Sequence, residues 1–366
     1  MRKMFLLLLI ISLLLCGCHT PEPEETVPTT PEPTTEATEA PTTEPTTVPT
    51  TEPPVYYNPL TGEQIDAPYT GRIIASIVAN TQDAIPHVGV TQADVLFEVY
   101  ASTGVVRCMG LFTDVSDVEA IGSTRSTRLV FNDLTEHYDA ILFHAGGYYD
   151  VLVDAENRGI TNFNVDQLYR STTDPISAAT GYRTKTRFSP HNLYVHGPGI
   201  LEYLEANDIP RTQPEDKTYN FNFADNGTPE NGEPAMEIHA WFGKKTKDTN
   251  LLYDEEMGKY VWQQYWGKIM RDEITDEVEA FENVIYIKAN TGSIGVFQTL
   301  DLVGGGEGIF ACGGKYIPIV WGCDDEQSPL WFTTTDGEPL TLGVGNTYIG
   351  ILDVKNDLEV FAEKAE

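Results

Sequence analysis

The chain has 366 residues, with 23 Lys and Arg against 55 Asp and Glu, a formal net charge of −32. A surface this acidic repels phosphate backbones and anionic lipid, which excludes a nucleic-acid protein. Met1-Arg2-Lys3 leads into an apolar run, Phe5 to Leu15, shorter than the about 20 residues a spanning helix needs. The run ends in Leu15-Cys16-Gly17-Cys18. A small residue before a cysteine is what bacterial lipoprotein processing reads, so residues 1–18 are predicted to be a lipoprotein signal peptide with Cys18 lipidated. The expected address is the extracytoplasmic face of the cell membrane, held by that lipid alone. Residues 19–54 hold ten Pro, thirteen Thr and eight Glu. They are predicted to be a disordered tether reaching up to ~110 Å at about 3.1 Å per residue.

The remainder, 55–366, carries 21 bases and 47 acids, a net of −26. Arg72–Ala79, Asp94–Tyr100 and Val105–Phe112 read as buried strands. Ser123 or Thr124 reads as an N-cap, followed by a helix with Leu129, Val130, Leu134 and Tyr138 on one stripe. Ala140–His144 is a short strand stopped by Gly146-Gly147, and Pro198 opens a further helix. Asp208–Pro234 is dense in Pro, Asn, Asp and Gly, which divides the chain into a 55–210 region, a 211–234 connection and a 235–366 region. The last is β-rich, with one short helix expected over Asp276–Phe281. Gly313-Gly314 reads as a two-residue hairpin turn setting Cys312 opposite Lys315 and Cys323 opposite Gly304. The two sulfurs then lie ~25 Å apart at about 3.3 Å per residue, so Cys108, Cys312 and Cys323 are expected to be free and mostly buried. The fold class is α+β, a mixed-sheet sandwich with a few helices in the N-terminal half.

Several stretches carry a family pattern. They are Pro59-Leu60-Thr61-Gly62, Gly89 to Tyr100, Ile121 to Arg128, Tyr138-Asp139-Ala140 followed by His144-Ala145-Gly146-Gly147, Ser189 to Tyr194, Gly304–Phe310 and Gly337 to Ile349. In that order they resemble the YerB-like family of bacterial lipoproteins, whose N- and C-terminal regions would cover roughly 58–353. The family's Gly-Pro-Val-Arg-Ser-Ala-Arg is here Gly122-Ser123-Thr124-Arg125-Ser126-Thr127-Arg128, and Tyr148 stands where a small residue is usual. The resemblance implies the two-region order and no reaction, ligand or cofactor.

Charge distribution points to a site. Residues 122–196 hold seven bases and eight acids, while the rest of 55–366 carries a net of −25. Within that window, Arg125 and Arg128 are expected on one face of a helix's first turn, where free N–H groups favour anions. Ser123, His144, Arg187, His191, Asn192 and Tyr194 are the candidates to join them around an anionic or peptide-like envelope ligand or a protein partner. Two other readings stay open. In one, His144 or His191 is the general base of an envelope hydrolase or transferase. In the other, the arginines pair internally with acids such as Asp139 or Asp154, and the protein is a structural interaction module. No metal-ligand spacing, cofactor motif or Gly-x-Ser-x-Gly elbow is present, so no metal, cofactor or catalytic residue is assigned. Trp262, Trp266, Trp321 and Trp331 read as core before they read as a sugar platform.

Overall fold

The computed structural model describes residues 54–364, apart from 215–216, 244–246 and 296. The signal segment, Cys18 and the 19–54 tether lie outside the described residues. Among the described residues, no helix is long and apolar enough to cross a membrane.

A 12-stranded mixed sheet organises the chain. Ile74–Ala79, Val95–Ser102 and Val105–Phe112 pair antiparallel, and Ile141–His144 lies parallel to Ile74–Ala79. From the C-terminal region come Asn283–Ile294 and the hairpin Gly304–Cys312/Lys315–Cys323. Thr347–Asp353 joins the two sets: it is parallel to Asn283–Ile294 on one side and to Val95–Ser102 on the other. Successive side chains in a strand face opposite ways, so each strand supplies two cores. Ala75, Ile77, Phe97, Met109, Ile285 and Ile349 pack with Val130, Phe131 and Leu134 of helix α1 (Leu129–His137) and with Tyr138, which caps it. On the other face, Ile74, Val78, Leu96, Phe112, Tyr286 and Tyr348 pack against Ile238, Leu251, Tyr260 and Trp262. Those four belong to a second, six-stranded sheet built from Glu237–Phe242, Lys247–Asp254, Lys259–Gln264 and shorter strands. The result is the α+β sandwich, β-rich in its C-terminal half. Helices α2 (Tyr149–Asn157), α3 (Val165–Leu168), α4 (Pro175–Ala179) and α5 (Gly197–Ala206) all fall in the N-terminal half.

The second core encloses charge. Glu98 and Lys247 form an ion pair in which both side chains are essentially sequestered from solvent. The Glu98 carboxylate also accepts from Asn80, Thr249 and Tyr348. A buried carboxylate is tolerated only with such a full set of donors.

Two expected elements are corrected. Asp276–Phe281 is not a helix: Ala280–Phe281 pairs with Tyr260–Val261, and Glu279 is buried with its carboxylate 2.9 Å from His87 Nδ1. The first helix does not start at Ser123 or Thr124 but at Leu129, for reasons that shape the site.

Candidate functional site

Ile121–Gly122 pairs with Leu193–Val195, and the chain stays extended beyond that pair. The Thr124 amide donates to Leu193 O (2.7 Å), the Arg125 amide to Ile77 O (3.0 Å) and the Thr127 amide to Gly146 O (2.9 Å). Arg125 O in turn accepts from Ala145 (3.0 Å). Backbone groups committed to other segments cannot close i→i−4 bonds, so Ser123 and Thr124 cap nothing. Arg125 and Arg128 therefore stand on an extended strap between the sheet and the Gly146-Gly147 turn.

Arg128 is itself the N-cap of α1, in an extended conformation with no side-chain cap bond. Tyr148 holds the same position for α2, again without a side-chain cap. The two helix starts meet directly, because the Arg128 guanidinium lies 4.8 Å from the centre of the Tyr148 ring. A third arginine arrives from the sheet: Arg107, in Val105–Phe112, donates to Ser126 O. Sequence reading missed Arg107, although it is the one charge in an otherwise apolar and Gly-containing strand.

The electrostatics of this trio are unusual. Arg107 and Arg128 are only 4% and 7% exposed, and Arg128 Nε is buried without a partner. Among the described residues, Arg107, Arg125 and Arg128 enter no ion pair. The acids expected to neutralise them are engaged elsewhere: Asp139 holds Arg72 at 3.0 Å, and Asp154 holds Arg158 at 3.3 Å. Burial pushes the Arg107 guanidinium down to about 9, helped by the charges of Arg128 and Arg125 and opposed by Tyr148. Burial also lowers Arg128, with Tyr148 opposing and Arg125 adding to the shift, and lowers Arg125, with Arg183 adding to it. Cations shifted this way gain most from a bound anion. One carboxylate, Asp150, sits exposed in the first turn of α2.

The other expected site residues divide. His191 joins the cluster: it lies on the loop before Leu193–Val195, its Nδ1 is buried and unpartnered, and burial and then Arg125 lower its pKa. Ser123 is fully buried with its hydroxyl unpartnered. His144 lies between two acceptor oxygens, Nδ1 2.8 Å from Gly146 O and Nε2 3.0 Å from Asn162 Oδ1, beside the glycine turn. Arg187 is bound to Glu273 at 2.8 Å and to the carbonyls of Ala84 and Pro86. Asn192 accepts from Arg183 and donates to Thr184 O, and the Tyr194 hydroxyl donates to Glu273. Arg187, Asn192 and Tyr194 therefore already hold internal partners. Trp262 and Trp321 are buried, while Trp266 is exposed. A cleft of about 900 Å³ lies elsewhere, and its lining is mainly acidic, with Asp133, Asp154, Asp301, Asp325 and Glu326 beside Arg158.

Two family models match the chain, the N-terminal domain of the "Protein of unknown function (DUF3048)" family over residues 60–210 and its C-terminal domain over 238–349. The chain is 24% identical over 307 residues to a Bacillus subtilis protein named "Putative lipoprotein YerB", covering 80% of this chain and 88% of that protein. Its fold is similar to the crystal structure of the YerB protein from Bacillus subtilis, with a TM-score of 0.70 at 22% identity, covering 83% of this chain and 99% of the other.

Proposed function

We propose, from the premise that the chain belongs to the DUF3048 family, that it is a membrane-anchored extracytoplasmic lipoprotein that binds an anionic envelope ligand at Arg107, Arg125 and Arg128. The lipid anchor is supported by Gly17-Cys18 behind an apolar run and by the lipoprotein name of the Bacillus subtilis relative. The binding reading rests on one observation: three guanidiniums with no ion-pair partner among the described residues gather where two helices begin without a side-chain cap. An internally paired cluster would show acids in contact, and Asp139 and Asp154 are in contact with other arginines. Both ring nitrogens of His144 face acceptor oxygens, Gly146 O and Asn162 Oδ1, which favours a role in holding the turn over one as general base.

The test is thermal melting of the detergent-solubilised full-length protein in phosphate, sulfate or chloride at equal ionic strength. An anion at about 100 times its dissociation constant adds ~2.7 kcal/mol, a rise of several degrees. That rise should vanish in Arg125→Gln and survive in Arg170→Gln, whose exposed arginine pairs with Asp166. Equal rises in both variants would remove the site from the cluster.

A further inference from the structure

Three side chains that together carry amide-transfer chemistry meet in the core between the two sheets. Asn80 follows the Ile74–Ala79 strand, Glu98 lies in Val95–Ser102 of the same sheet, and Lys247 opens Lys247–Asp254 of the six-stranded sheet. Asn80 and Glu98 are fully buried and Lys247 is 4% exposed. One oxygen joins them: Glu98 Oε1 accepts from Asn80 Nδ2 at 2.8 Å and also from Lys247 Nζ. Two donors on one acceptor lie no more than about 6 Å apart, each bond being about 3 Å. The Lys247 amine and the Asn80 carboxamide are therefore neighbours, with a carboxylate between them. Glu98 Oε2 accepts from Thr249 at 2.9 Å and from Tyr348 at 2.5 Å, which fixes that carboxylate in place.

The setting suits an amine that reacts more than one that only pairs. Arginine is the usual cation of a buried ion pair, whereas a desolvated lysine becomes a nucleophile. Among the described residues, Lys247 is the one buried lysine. The ring centres of Phe242, Trp262 and Tyr265 stand 5.6, 5.7 and 5.6 Å from its Nζ and shield it from water. An ion pair is costly in such surroundings, and passing its proton from Lys247 to Glu98 leaves a neutral amine and a neutral acid. Asn80 Oδ1 is buried with no partner. It is the acceptor that a protonated Glu98 needs, brought to it by a half-turn of the carboxamide.

We propose that Lys247 and Asn80 become joined by an isopeptide bond, with Glu98 as the proton carrier. Glu98 takes a proton from Lys247 and gives it to Asn80 Oδ1 as the free amine attacks Asn80 Cγ and the Nζ–Cγ bond forms. The Glu98 carboxylate then moves a second proton from Nζ to Nδ2. The Cγ–Nδ2 bond breaks, ammonia leaves, and the proton on Oδ1 returns to Glu98. Nothing is oxidised or reduced, and no co-reactant is consumed. The product ties the two sheets together covalently. It is independent of the anion-binding reading above.

The experiment is tryptic peptide mapping, by mass spectrometry, of the denatured full-length protein. Trypsin releases Asn80 within residues 73–107, and an acylated Lys247 resists cleavage and stays within residues 246–259. The expected product is one branched peptide joining these two segments, lighter than their sum by one ammonia. Lys247→Arg and Glu98→Gln should each return the segments unjoined. The wild-type map decides the question even if a variant fails to fold. Unjoined segments in the wild type, with cleavage after Lys247, overturn the proposal. A 73–107 peptide lighter by one ammonia but unjoined also overturns it, because Asn80 has then closed on its own backbone. A branched peptide that persists in folded Glu98→Gln removes Glu98 as the proton carrier.

Discussion

Asp94, at the head of the Val95–Ser102 strand, accepts from the Thr113 amide at 2.5 Å, the Thr113 hydroxyl at 2.8 Å and the Asn58 amide at 3.3 Å. Burial nonetheless pushes its carboxyl up to about 6, the donors of Thr113 and Asn58 pulling the other way. The folded value exceeds the unfolded one of about 3.9, so the folded state binds the proton more tightly between them. Stability from this group is therefore present below about pH 4 and lost as pH rises toward 6. Urea unfolding of wild type and Asp94→Asn across pH 4–6 should show the wild type losing ground by no more than about 3 kcal/mol. Parallel profiles would mean that Asp94 does not titrate there. At this scale Arg125 and Arg128 were legible because charge is scarce in their window, whereas their geometry was not. Arg107 stayed hidden because an arginine inside an apolar strand reads as a snorkelling edge residue until its neighbours are known.

Among the elements, the Gly304–Cys312/Lys315–Cys323 hairpin was legible down to its register. Gly313 and Gly314 both take positive φ, +59° and +75°, the backbone a two-residue turn demands. Cys312 faces Lys315 and Gly304 faces Cys323, and the thiols of Cys108, Cys312 and Cys323 are free and buried. The glycine run feeding this hairpin reflects close backbone approach: a Cβ on Gly308 would lie 2.5 Å from Tyr286 O in the adjacent strand. Gly308→Ala should therefore lower stability by about 1–3 kcal/mol, read from the urea midpoint. An unchanged midpoint would mean that the strands part without cost. Of the stripe Leu129, Val130, Leu134 and Tyr138, the last three are buried and Leu129 only half-buried, but the start of α1 was not readable. Ser123 and Thr124 are good caps by type, and cross-strand partners claimed their backbone first. Helix α2 escaped notice because its N-cap is a tyrosine.

For the whole molecule, the two regions distinguished by composition share one sheet. Thr347–Asp353 lies between Val95–Ser102 and Asn283–Ile294, so each region completes the other's core. Composition marks where the chain turns polar and says nothing about which strands become neighbours, because that depends on pairings far apart in sequence. Residues 55–234 produced alone should accordingly show no cooperative melting by circular dichroism and should bind a hydrophobic dye. A sharp transition in that fragment would show that its strands close without the C-terminal one.

The same strand sets a timetable. Tyr348 meets Glu98 across 250 residues, and a ribosome makes the earlier partner long before the later one. Throughout that interval Val95–Ser102 offers an unpaired edge, the kind of surface that recruits other chains. Long-range pairing also makes the final closure slow. The large sheet thus cannot close until residues 347–353 are available. A chain cut anywhere before residue 347 leaves Val95–Ser102 and Asn283–Ile294 without the strand that joins them.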